Sequence, residues 1–198
     1  VPQDYKEAVK WYRLSAEQGY SKAQYNLGSM YDVGVKVPQD YKEAFRLFSL
    51  SAEQGVAESQ SNLGSMYATG QGVPQDYKEA IKWYRLSAEQ GYAEAQYNLG
   101  VMYRQGEGVS QDYNEAIKWY RLSVEQGDAL AQNDLGMMYS NGHGVLQDYA
   151  LAHMWFNLSS SNGNKDAVGN INFIENKMTP EQLEKAKEMA INWKPNKK

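Results

Sequence analysis

The 198-residue chain has no cysteine, which excludes disulfide staples and thiolate chemistry while leaving the redox compartment open. Its charge is balanced: 20 basic against 24 acidic residues give a net charge of −4, and the only basic run is Lys194, Lys197 and Lys198. Electrostatic capture of nucleic acid is therefore not expected. No stretch reaches the 18 or more consecutive apolar residues that a membrane helix needs, so no membrane insertion is expected, and no charged-then-apolar signal segment stands at the start. The chain opens at Val1, without Met and in the middle of a sequence unit, so trimming of an upstream segment is expected. Cytosolic and exported locations both remain open.

Motifs of site chemistry are equally scarce. The histidines are two, His143 in a loop and His153 on a helix, and no Ser-x-x-Lys occurs. Nothing specifies a Ser/His/Asp arrangement. Metal-ligand spacings and EF-hand loops are missing, and Gly-x-Gly here joins two helices instead of following a strand. No metal and no cofactor are expected. Asn157-Leu158-Ser159 is a sequon by chance, inside a helical pattern.

What the chain does contain is one phrase written five times. VPQDYKEA starts at Val1, Val37 and Val73, and returns as VSQDYNEA at Val109 and VLQDYALA at Val145. A fixed period of 36 residues implies units that pack only on their neighbours, and overrides the domain count that length alone would suggest. In residues 73–108, Asp76 and Glu79 form an acidic variant of the capping box, and a helix should run from Tyr77 to about Gln90, where Gly91 ends it. Tyr77, Ala80, Ile81, Tyr84 and Ala88 make its buried face, with Lys78, Lys82 and Arg85 outward. A second stretch, Ala93 to about Gln105, carries Ala95, Gln96, Leu99, Gly100 and Tyr103 on one stripe. Gly28, Gly64, Gly100 and Gly136 share one mid-helix slot, although glycine there costs about 1 kcal/mol relative to alanine. Close approach of two helices explains it, with Tyr84 and Trp83 expected around the gap at Gly100. In the return loop, the first copy departs from the others, with Lys36 where they have glycine. The fold class is thus all-α, an α/α solenoid of helix pairs.

The run A-x-A-Q-Y-N-L-G-x-M-Y-x-x-G-x-G-V-x-Q-D-Y-x-E-A-x-x-W-Y closely resembles the Sel1-like repeat family, a relative of the tetratricopeptide repeat. The resemblance covers nearly the whole chain. It implies a right-handed superhelix in which the first helix of each pair lines the concave side. A single repeat domain over 1–198 follows: an orphan second helix in 1–20 (near Asp4 to Gln18), four helix pairs in 21–163, and a divergent capping helix pair in 164–198. First helices are expected near 22–33, 58–69, 94–105 and 130–141; second helices near 40–54, 76–90, 112–126 and 148–161. Thr179-Pro180-Glu181-Gln182 should open a last helix whose Leu183, Ala186, Ala190 and Trp193 seal the end, with Glu181, Glu184, Lys185 and Glu188 outward. No matching cap precedes the first helix, which could expose apolar surface and self-associate weakly.

Differences between copies point to function, because positions constant in every copy answer to shared architecture. The variable positions of the first helices fall on one stripe: Tyr25, Ser29, Asp32 and Val33; Ser61, Ser65, Ala68 and Thr69; Tyr97, Val101, Arg104 and Gln105; Asn133, Met137, Ser140 and Asn141. By the resemblance this stripe faces the concave groove, and its mixed chemistry suits recognition of a protein or peptide. Beside it runs the column Asn26, Asn62, Asn98 and Asp134. These amides either bond an adjacent helix or reach the backbone of an extended peptide in the groove; both readings stay open. The basic column Lys10, Arg46, Lys82 and Lys118, with Arg13, Arg85 and Arg121, alternates with Glu7, Glu43, Glu79 and Glu115 and reads as a solvated face. Trp11, Trp83, Trp119 and Trp155 read as core between repeats, with Leu47 replacing the tryptophan in the second copy.

The expected function is a non-enzymatic scaffold or adaptor that binds a peptide or folded partner. Some members of the family that the chain resembles have been described as binding or hydrolysing β-lactams, so a cell-envelope protein acting on peptidoglycan-like or β-lactam compounds is the alternative. A purely structural or engineered consensus array is the third reading.

Overall fold

A computed structural model describes residues 5–195, with side chains from Glu7 onward. Among the described residues there are eleven helices and no strand: α1 Tyr5–Glu17, α2 Ser21–Val33, α3 Tyr41–Glu53, α4 Ala57–Thr69, α5 Tyr77–Glu89, α6 Ala93–Gln105, α7 Tyr113–Val124, α8 Ala129–Asn141, α9 Tyr149–Ser161, α10 Ala167–Glu175 and α11 Pro180–Asn192. The punctuation read from sequence sets these bounds. Asp40, Asp76 and Asp112 each accept from the backbone N–H groups two and three residues on, which satisfies donors the helix start leaves unpaired. The glutamates at the third position hold the next cation instead of returning to the cap: Glu43 pairs with Arg46, Glu79 with Lys82 and Glu115 with Lys118. A reciprocal capping box forms at α11, between Thr179 and Gln182.

Contacts divide the chain into two compact units, one ending at Ala95 and the other beginning at Gln96. Within the first, α2 packs on α3 and α4 on α5, with α1 against α2 and α3 against α4. Its core includes Val9, Ala16, Leu27 and Leu47 in one cluster and Ala44, Phe48 and Met66 in the next. The second unit centres on Tyr120, Val124, Leu135, Met138 and Trp155, and its end is closed by α10 and α11 against α9. There Ala186 is fully buried, and Trp193 meets Trp155 edge-on at 5.6 Å.

The mid-helix glycines do mark close approach, but the ring over each comes from the helix that follows. Phe48 covers Gly28, Tyr84 covers Gly64, Tyr120 covers Gly100 and Phe156 covers Gly136. A Cβ at Gly100 would stand 2.7 Å from the Tyr120 ring and 3.2 Å from the Ala116 carbonyl. Tyr84 and Trp83 were expected at Gly100; Tyr120 is there because each first helix packs on its own pair partner. Lys36 adopts φ 70°, the left-handed conformation that glycine takes at Gly72, Gly108 and Gly144. The tryptophans also depart from expectation. Trp155 is buried, but Trp83 and Trp119 are half-buried and Trp11 is 60% exposed beside partly exposed Tyr12 and Leu14.

Candidate interaction surface

Two columns of polar side chains run along the first helices, two residues apart in sequence at every step, and in the last pair the second member is a carboxylate, Gln132 with Asp134. The inner column is Gln24, Gln60, Gln96 and Gln132, all buried. Each accepts a hydrogen bond from an amide 30 residues on: Gln54 to Gln24 at 2.7 Å, Gln90 to Gln60 at 2.7 Å, Gln126 to Gln96 at 2.9 Å and Asn162 to Gln132 at 2.9 Å. Gln24 and Gln60 also donate backwards, to the Ala16 and Ala52 carbonyls at 3.2 and 3.1 Å. Gln24 and Gln60 thereby tie their helices to the second helices on both sides. Buried serines reinforce the seam, with Ser51, Ser87 and Ser159 donating to the Ser21, Ala57 and Ala129 carbonyls. Gln132 is the exception, because its Nε2 finds no acceptor. At the place of Ala16 and Ala52 its neighbour repeat has Val124, where α7 ends one residue short of its counterparts.

The second column stands two residues further along each helix. Asn26, Asn62 and Asn98 are half-buried, and among the described residues their side-chain amides have no hydrogen-bond partner. The link to an adjacent helix, one of the two readings of this column, is made by the glutamines. Asp134 differs from its three equivalents. It accepts from the Tyr120 hydroxyl at 3.2 Å and lies 3.7 Å from the Arg104 guanidinium, whose Nε also donates to Tyr120 at 3.1 Å. Burial raises the Asp134 carboxyl above its ordinary value, against the opposing pull of Arg104. Burial and the neighbouring Asp134 push Tyr97 up to about 12, and the Tyr120 phenol is also raised, burial again being the first cause.

The variable stripe is less uniform than its spacing suggests. Tyr25 lays its ring 6.1 Å from Phe48, and Tyr97 lies 5.9 Å from Tyr120. Ser29 and Thr69 donate into their own helices, to the Tyr25 and Ser65 carbonyls. Asp32, Ser65, Ala68, Val101 and Arg104 are half-buried, while Val33, Thr69, Gln105, Met137 and Asn141 are exposed. Ser61 and Ser140 are buried, and the Ser61 hydroxyl has no partner. Asn133 accepts from Asn170 at 2.8 Å, so α10 covers it. On the second helices, Lys10, Arg46, Lys82, Lys118, Arg13, Arg85 and Arg121 are all exposed.

The two histidines have structural neighbours. His143 stacks on Tyr113 at 4.7 Å, while His153, 2% exposed, meets Glu175 at 3.0 Å and Asn157 at 2.9 Å, joining α9 to the cap. No group of three or more metal-ligating side chains occurs among the described residues, and no described helix is long and apolar enough to cross a membrane.

This arrangement of helix pairs coincides with five matches to the Sel1 repeat model, over residues 1–20, 21–56, 57–92, 93–128 and 129–164. The chain belongs to the Sel1 repeat family. It is 40% identical to c5321 of uropathogenic Escherichia coli, a protective antigen with an SLR fold, over 96% of this chain (TM-score 0.91), and spans 41% of that protein's length. A Sel1 repeat protein from Oxalobacter formigenes is 36% identical over 96% of this chain and 80% of its own, with a TM-score of 0.81. The immunity protein PA5088 of Pseudomonas aeruginosa, 23% identical over 93% of this chain and 68% of its own, shares the fold at a TM-score of 0.58. Among curated proteins there is no match.

Proposed function

We propose that this Sel1 repeat chain is a non-enzymatic scaffold that binds a peptide or folded protein along the outward stripe of its first helices. The observation that carries this reading is the contrast between the columns: the glutamine seam is hydrogen-bonded, while Asn26, Asn62 and Asn98 hold half-buried amides with no partner among the described residues. An amide can donate and accept together, so each of them can bond both an N–H and a C=O group of a peptide backbone. Asparagine is a mediocre helix former, and a row kept without an internal bond is better used against a ligand. Exposed Val33 and Met137, with the rings of Tyr25 and Tyr97, supply apolar contact beside it.

A displayed peptide library selected on the wild-type protein tests this. Selected peptides should lose at least tenfold in affinity for the Asn26→Ala/Asn62→Ala/Asn98→Ala variant, whose circular dichroism and Tm should match the wild type. Equal affinity for both proteins would overturn the reading.

A further inference from the structure

The second copy differs from the other four at one position that the stripe does not use. Leu47 stands where Trp11, Trp83, Trp119 and Trp155 stand. What a tryptophan does there is visible in the C-terminal unit: Trp155, 8% exposed, packs in one cluster with Val124, Leu135, Tyr139 and Leu158. Three repeats earlier, the equivalents of those four residues are Ala16, Leu27, Tyr31 and Leu50. They line a cleft of about 610 Å³ between α1, α2 and α3, with Leu47 in its wall. With Leu47 where the fifth copy has Trp155, and Ala16 where that copy's indole meets Val124, the side chains around this cleft are smaller than those that pack together in the C-terminal unit.

The rim carries the matching electrostatics. Lys82, which precedes Trp83, holds its ammonium 5.6 Å from that ring's centroid. Its equivalent here is Arg46, which lines the cleft together with Tyr31 and is held at the mouth by two hydrogen bonds to Glu43, at 2.9 and 2.7 Å. A guanidinium fixed in this way is placed to lie over an aromatic face, for which indole is the best partner. The Glu17 carboxylate, exposed at the same rim, can accept an indole N–H. The floor offers no free polar group: the Gln24 amide both donates to Ala16 and accepts from Gln54.

We infer that this cleft is a docking site for the tryptophan side chain of a partner peptide, which would take from outside the place that Trp155 fills from within in the fifth copy. The site shares no residue with the first-helix stripe, so the two readings stand or fall separately. Titration of the protein with the peptide Gly-Trp-Gly, followed by the methyl resonances of Leu27, Leu47 and Leu50, tests it, with Gly-Ala-Gly as control. Saturable shifts confined to these methyls are expected with the tryptophan peptide alone. Leu47→Trp, which restores the residue of the other copies, should weaken binding at least tenfold without lowering Tm; should that variant misfold, Ala16→Leu fills the cleft from the opposite wall and should have the same effect. Absence of cleft shifts, equal shifts with Gly-Ala-Gly, or unchanged binding by the filled variant would overturn the inference. So would concentration-dependent self-association abolished by Trp11→Ala, which would assign the cleft to a second copy's exposed Trp11.

Discussion

The glutamine and asparagine columns place the same functional group two residues apart on the same helices, yet the structure treats them oppositely. Gln60 is 5% exposed and hydrogen-bonds Gln90 and the Ala52 carbonyl; Asn62 is half-buried and bonds nothing described. Helix geometry makes the difference. Two residues are 200° of rotation, so Gln60 enters the seam between neighbouring helices while Asn62 turns away from it. The angle around the helix therefore decides which amide is drawn into the seam and which stays out of it.

The largest break in this comparison comes from the closest approach on the cohesive face. Gly136→Leu would drive a side chain into Phe156, whose ring lies 2.6 Å from an ideal Cβ, and into the Ala152 carbonyl at 3.2 Å. Neither neighbour can withdraw cheaply, since Phe156 is itself 1% exposed and the carbonyl is backbone. A loss of about 3 kcal/mol is expected, at the upper end for overpacked cores, read from the midpoint of urea unfolding. Because repeats contact only their neighbours, amide exchange should rise most in α8 and α9.

Most of the fold was legible in the chain, because its signals are local. The Asp residues that start α3, α5, α7 and α9 and the glycines that end α2, α4 and α8 act through bonds within a few residues. The ring over Gly100 was misassigned because two aromatic helices flank each glycine in sequence, and only packing chooses between them. The same limit hid the serines: Ser51, Ser87 and Ser159 look like ordinary helix residues until their acceptors, 30 positions back, are brought near. At the candidate surface, spacing grouped the variable positions on one stripe, and five of them, Val33, Thr69, Gln105, Met137 and Asn141, are exposed. Spacing could not foresee that Ser61 and Ser140 are buried or that Asn170 covers Asn133, because those depend on how the neighbouring elements lean on each stripe.

A smaller effect sharpens the contrast between the columns. Gln60→Leu removes two buried hydrogen bonds and should cost about 2 kcal/mol. Asn62→Ala removes none and improves helix propensity, so its effect should stay within about 0.5 kcal/mol. Gln132→Leu provides the internal standard. It deletes one bond, from Asn162, together with an Nε2 that is buried without an acceptor, and should cost about 1 kcal/mol less than Gln60→Leu. Equal costs at positions 60 and 132 would show that the seam is held by packing and not by its amides.

The smallest expected effect concerns the one place where the outer column has become a carboxylate. Asp134 faces Arg104, Tyr120 and Tyr97, with Asp128 nearby, and burial outweighs Arg104 in setting the direction of its shift, which is upward. A folded-state pKa raised above the unfolded value means that the folded protein holds this proton more tightly. The stabilising contribution is therefore complete below about pH 4 and is lost as pH rises through the folded value. Asp134→Asn, which restores the residue of the other three copies, removes this dependence. Relative to the wild type, the variant should gain Tm between pH 4 and pH 7, and differential scanning calorimetry at the two values reads the change. A gain that instead reverses on raising pH would show that the Arg104 ion pair dominates, and that Asp134 is held there as a charge partner, not tolerated as a buried acid.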